Sequence, residues 1–184
     1  AYTTKEKICF HASVLTPHYE RALELLSDIT FHSVFPDKQV ERERGVILEE
    51  MSMYYDSPED AIQDDFDDII FSNHQLGRNI LGTQESVNGF TRQDLFDFIG
   101  ENLDTSRIIF SSVGNLPFKK VVTLVEKYLK NIPAKSSSLV RTPPAIYAPK
   151  NVDQKRSITQ AHVAIGRTAY EITHAQRLPF FMLI

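Results

Sequence analysis

The chain is poor in the features that would place it quickly. A single cysteine, Cys9, stands among 184 residues, so no disulfide can form within the chain, and a small disulfide-stapled fold is excluded. Cys9 lies in an alternating apolar segment and reads as a small buried residue, which suits a reducing compartment. There is no basic excess: Lys and Arg number 20 against 24 Asp and Glu, the net charge is −4 and the pI is about 5.9. Nucleic-acid binding, which usually leaves a basic footprint, gains no support. No apolar run reaches the roughly 20 residues of a membrane-spanning helix. No signal-peptide pattern opens the chain, and the expected location is cytoplasmic. The chain itself reads as a fragment cut at both ends: it starts without Met in strand-like sequence and stops on the apolar LPFFMLI. Its opening therefore does not speak to a leader. The six histidines, His11, His18, His32, His74, His162 and His174, show no paired ligand spacing, and neither HExxH nor HxxEH occurs.

What is there belongs to an ordinary globular protein, with 42% hydrophobic and 24% charged residues. Residues 6–15 alternate as a strand, with Ile8, Phe10, Ala12 and Val14 on one face. Thr16 as N-cap and Pro17 at the first helical position open a helix running to about Phe31. A second helix starts at Pro36. A third is capped by Ser57, starts at Pro58 and carries Asp60 at the capping-box position. Ile62, Phe66, Ile69 and Ile70 form its apolar stripe, and DDFDD at 64–68 its solvated face. Residues 73–87 read as a loop. A helix capped by Thr91, a strand over 107–116 and a helix from Pro117 to before Pro133 follow. Pro143, Pro144 and Pro149 then sit among serines and lysines, as in a linker. After it RSITQAHVAIG alternates again, and a new helix opens near the end. The order implies an α+β layer domain, a linker and the start of a second domain.

One helical stretch raises a chemical question. In ERERGVILEEM, residues 41–51, Glu43 and Glu50 are seven residues apart, two helical turns, so they point the same way. They share that side with Val46, Ile47 and Tyr54, which the pattern predicts to be buried. An unpaired charge there is costly. Either the carboxylates pair with arginines or edge the stripe, or a bound cation compensates them.

Six segments taken in order, AYTTKEKICFHASVL, ERERGVILEEM, HQLGRNILG, SVNGFTRQDLFDFI, IIFSSVGNL and QAHVAIGR, resemble the insulinase/pitrilysin-type zinc peptidases, the inverzincins that include the mitochondrial processing peptidases. The similarity runs over nearly the whole chain. It implies an antiparallel sheet packed with helices, the α/β-roll layer domain of these metallopeptidases. It implies domains at 1–134 (the later part of a first peptidase domain), 135–156 (a linker) and 157–184 (the opening strand and helix of a second).

In that family an HxxEH helix supplies two zinc-binding histidines and a general base, and a later glutamate completes the ligands. Matched motif to motif, that later ligand is Glu50, and Glu43 is the acidic position that supports the site from behind. Ala1, Tyr2 and Thr3 match the edge strand that pairs with an extended peptide substrate. His74 and Arg78 match a loop whose role is structural. The resemblance implies a zinc-dependent metalloendopeptidase that cleaves peptides or unfolded segments, with the fragment itself inactive, and a homologous half or homodimer partner. The alternative it implies is a non-catalytic homologous subunit that binds substrate and presents it to an active partner. It also suggests that residues 157–184 take the vacant place against the first sheet or pair with a neighbouring molecule, so that 157–166 form a paired strand.

Overall fold

A computed structural model describes residues 1–145 and 147–183. It contains two short strands, β1 (Tyr2–Thr3) and β2 (Ile8–Cys9). Seven helices are described: α1 (Tyr19–Phe31), α2 (Asp37–Asp56), α3 (Pro58–Ile70), α4 (Gln84–Gly89), α5 (Arg92–Asn102), α6 (Phe118–Leu129) and α7 (Arg177–Phe181). The mixture is α+β, with a small antiparallel sheet among helices. The chain forms two compact units, 1–45 with 85–141 and 46–84 with 142–184.

The first unit is organised by α1 and α6. Their apolar spacings bring Leu23 and Leu124 inside, both nearly fully buried. Ser27, buried between the helices, donates its hydroxyl to the Tyr128 carbonyl at 3.4 Å. At the rim, Lys127 Nζ meets Glu20 Oε1 at 2.6 Å and Tyr128 Oη donates to the same oxygen at 3.2 Å. These bonds hold the Glu20 carboxyl below its usual range, the Lys127 bond contributing most, and hold the Lys127 ammonium above its own. The segment after α6 is tied back: Lys135 and Thr105 exchange backbone and hydroxyl bonds at 2.9–3.0 Å, and Ser137 caps the Glu101 carbonyl at 2.7 Å. α5 starts on a reciprocal cap. The Thr91 hydroxyl accepts from the Asp94 N–H, and the Asp94 carboxylate accepts from the Thr91 N–H at 2.7 Å.

In the second unit α3 is followed by a turn of 3₁₀ helix, Gln75–Gly77, packed on its end. Met51 is the buried residue of α2. The Phe66 ring lies against Gly166, where a Cβ would come within 3.0 Å of it. Asp65 pairs with Arg156 at 2.5 Å and Asp64 accepts from Asn79 at 2.8 Å, so the acidic face of α3 is only partly solvated.

Several local expectations need correction. Thr16 lies inside a 3₁₀ turn, Thr16–His18, that precedes α1, and it makes no cap. The Ser57 hydroxyl bonds to the Asp60 carboxylate at 2.6 Å instead of to a backbone N–H. Residues 84–87, read as the end of a loop, lie in α4. Cys9 is half-buried, with its thiol free.

The larger difference is in the strands. Of the alternating segment 6–15 only Ile8 and Cys9 pair, and residues 108–116 and 157–166 form no strand. The expected pairing of 157–166 is therefore absent. Alternation assigns faces, but a strand persists only where neighbours take up its N–H and C=O groups. The pattern is present in these segments and the partner strands are not found among the described residues. As a result Ile109 and Val113 are 89% and 99% exposed, and a hollow of about 700 Å³ in the first unit is lined by Phe10, Leu26, Phe31, Phe98, Ile108 and Leu129 among others.

Candidate functional site

The inward residues of α2 are Val40, Arg44, Ile47, Leu48 and Met51, a stripe at spacings of three and four. At about 100° per residue, Glu43 and Glu50 both stand about 80–100° to the same side of Met51. They flank the stripe and are exposed, and neither has a hydrogen-bond or ion-pair partner among the described residues. Val46 and Tyr54, predicted to be buried beside them, are 48% and 42% exposed, and Ile47 is half-buried. The structure therefore places the carboxylates on an open side of the helix, not within an apolar packing face.

Pairing with neighbouring arginines is not observed for either glutamate. Arg44 is engaged elsewhere. Its Nε donates to Glu41 at 3.1 Å, and its two terminal nitrogens donate to the carbonyls of Val87 and Phe90, the latter at 2.7 Å. Those carbonyls belong to the C-terminal end of α4, where helix carbonyls lack intrahelical donors and a cation is favoured. Nothing in the ERER pattern distinguished Arg44 from a solvated charge.

Zinc takes about three protein ligands, usually with imidazole or thiolate among them. No group of three His, Cys, Asp or Glu side chains able to hold a metal is found among the described residues. Glu50 offers carboxylate oxygen of a suitable kind, but the residues present do not make a zinc site by themselves.

Ala1–Thr3 lie at the sheet. Tyr2 stands opposite Cys9 and Thr3 opposite Ile8 in antiparallel register. The turn between the strands is closed by the Thr4 N–H on the Lys7 carbonyl at 2.8 Å, and the Thr4 hydroxyl accepts from the N–H groups of Glu6 and Lys7. A two-stranded sheet leaves one edge of each strand without a ladder partner, so the backbone of β1 keeps an edge to which an extended chain could be added.

His74 is held on both sides. Its Nδ1 accepts from the Leu76 N–H at 3.1 Å, so the other nitrogen carries the proton and Nε2 donates to the Thr142 carbonyl at 2.9 Å. One nitrogen closes the loop and the other ties it to Thr142, bonds of a structural kind. Arg78 is exposed at the end of the 3₁₀ turn.

Residues 1–84 match the family described as Insulinase (Peptidase family M16), and residues 89–183 match that described as Peptidase M16 inactive domain. The chain belongs to the M16, insulinase-type, peptidase family. Among its relatives, the Uncharacterized zinc protease YmxG of Bacillus subtilis is 32% identical over 174 residues, covering 95% of this chain and 42% of that protein. The Probable mitochondrial-processing peptidase subunit beta of Arabidopsis thaliana is 33% identical over 155 residues, 83% of this chain and 29% of that protein. The chain thus spans about two fifths of the length of the first zinc proteases that it matches. The fold agrees with the crystal structure of the first half of the periplasmic protease PqqL from Escherichia coli, with a TM-score of 0.63 at 21% identity over 71% of this chain and 28% of that one. With M16 membership the α+β metallopeptidase fold is established for this chain. The M16 match ends at residue 84 and the next begins at 89, so the Arg44 bonds run from the first matched segment to Val87 in the gap and to Phe90 at the start of the second.

Proposed function

We propose that this chain is part of a zinc-dependent metalloendopeptidase that cleaves peptides or unfolded segments, and that Glu50 is its contribution to the metal. The observation that carries this reading is the pair of unpartnered carboxylates, Glu43 and Glu50, on one open side of α2, inside the segment matched to the insulinase family. An exposed carboxylate is inexpensive, so the pair needs no metal for folding. It is also left free to receive one. Glu50 would bind the cation directly and Glu43 would support the site from behind. The remaining ligands and the general base would come from residues outside these 184. Held by Glu50 and by ligands from outside these residues, zinc would supply the Lewis acidity that activates water for peptide hydrolysis. Ala1, Tyr2 and Thr3 would hold the substrate as an added strand on β1. A homologous half, or a second copy of the protein, would complete the chamber. Residues 1–134, 135–156 and 157–184 would be the later part of one peptidase domain, a linker and the start of the next.

A second reading is a non-catalytic homologous subunit that binds substrate and presents it to an active partner. Zinc content of the full-length protein, with Glu50→Gln alongside, separates the two. The peptidase reading expects about one zinc per chain in the wild type and loss of most of it in the variant. A wild-type protein without zinc would remove the peptidase reading and leave the non-catalytic one.

A further inference from the structure

We propose that Arg44 is a positioning residue: its guanidinium, seated on the Val87 and Phe90 carbonyls, sets the rotation of α2 about its own axis and so the direction in which Glu43 points. The contact is built rather than incidental. The Arg44 side chain is only 15% exposed in spite of its charge, and three of its nitrogens are used, one on Glu41 and two on separate carbonyls. Val87, whose carbonyl receives one of them, is itself nearly fully buried. A planar fork that engages two carbonyls at once fixes orientation as well as distance, which a lysine cannot do.

On the helix Arg44 follows Glu43 directly, so their directions differ by about 100°. Any roll of α2 that breaks the fork swings Glu43 by the same angle. The apolar part of the stripe near Arg44 is thin: Val40 and Ile47 are only half-buried. Packing therefore constrains the roll weakly there, and the fork supplies the constraint.

The consequence for catalysis rests on the proposed reading of Glu50 and Glu43, whereas the orientation itself does not. The test therefore has a metal-free arm. In the full-length protein, nitroxide labels are placed at Glu43→Cys and Asn88→Cys, an exposed position on α4, in a background without other reactive cysteines. Electron–electron resonance then gives the distance distribution. The proposal expects one narrow distribution with Arg44, a broadened or displaced one with Arg44→Gln, and an intermediate one with Arg44→Lys, at unchanged helix content. The same narrow distribution in Arg44→Gln would overturn it. Should Arg44→Gln not fold, Arg44→Lys decides alone, since it keeps the charge and loses the fork.

The second arm is zinc affinity in a double-mutant cycle. Arg44→Gln is expected to weaken zinc binding about 10–100-fold, as loss of outer support does, yet to have little further effect when Glu43→Gln is already present. Equal losses in both backgrounds would mean that Arg44 does not act through Glu43. A wild type that binds no zinc would sink the peptidase reading only, and the distance distributions would still decide the role of Arg44.

Discussion

Gly77 shows how much one methyl group can decide. A Cβ at that position would stand 2.7 Å from the Phe71 carbonyl oxygen and 3.2 Å from the Asp68 Cα. These are backbone atoms and cannot swing aside. Gly77→Ala is expected to cost about 1–3 kcal/mol, read as a fall in the urea midpoint. Gly45 is the contrast: it lies within α2 and its added Cβ meets nothing within 4 Å. Gly45→Ala is expected to gain about 0.5–1 kcal/mol through helix propensity. Equal midpoints for the two variants would refute the steric account. The sequence showed a glycine in HQLGR but not which backbone it met. Likewise the direction shared by Glu43 and Glu50 followed from their spacing, while the partners of Arg44 did not, because they lie more than forty positions away in the chain.

At the scale of elements, helices were legible and strands were not. A helix closes its hydrogen bonds within its own segment, so apolar spacing and an N-terminal cap suffice to announce it. Thr91 did so for α5, and the structure adds Asp94 as the other half of the cap. The short α4 was missed because six residues carry too little periodicity. Strands need a distant partner, and 108–116 kept its pattern without one. The α5 cap also carries a pH dependence. The Asp94 carboxyl lies below its usual range, chiefly because the Thr91 hydroxyl bonds to it, with the Thr91 N–H next. Its value is thus lower folded than unfolded. The stabilisation is present above the unfolded carboxylate range and is lost as pH falls through the folded value. Amide protection at the start of α5, taken relative to the intrinsic exchange rate at each pH, should fall over that acid window in the wild type. In Asp94→Asn the pH dependence should flatten, and an unchanged profile in that variant would dismiss the cap as its source.

At the scale of the molecule, the chain has fewer inward contacts than its sequence provides for. Leu23, Met51, Val87 and Leu124 are the buried apolar residues among those described, none of them fully enclosed, and the hollow of the first unit is open between helices and unpaired extended segments. The family, the helices and the shared direction of Glu43 and Glu50 were legible because they lie in local motifs. Closure of the sheet was not, since it depends on strands that these residues do not supply. On the proposed reading the chain brings one ligand and no general base. Purified alone, it should hydrolyse no peptide in a chelator-sensitive manner, and such hydrolysis by clean material would contradict that reading.

The hairpin of residues 2–9 bears on the order in which the molecule assembles. Its pairing and its Thr4 turn involve residues within seven positions of one another, and closure of such a hairpin takes on the order of 1–10 μs. The Glu20–Lys127 contact between α1 and α6 spans 107 positions and must await a much larger loop closure. The strand edge at Tyr2–Thr3 can therefore be sampled by the nascent chain before its helices have met.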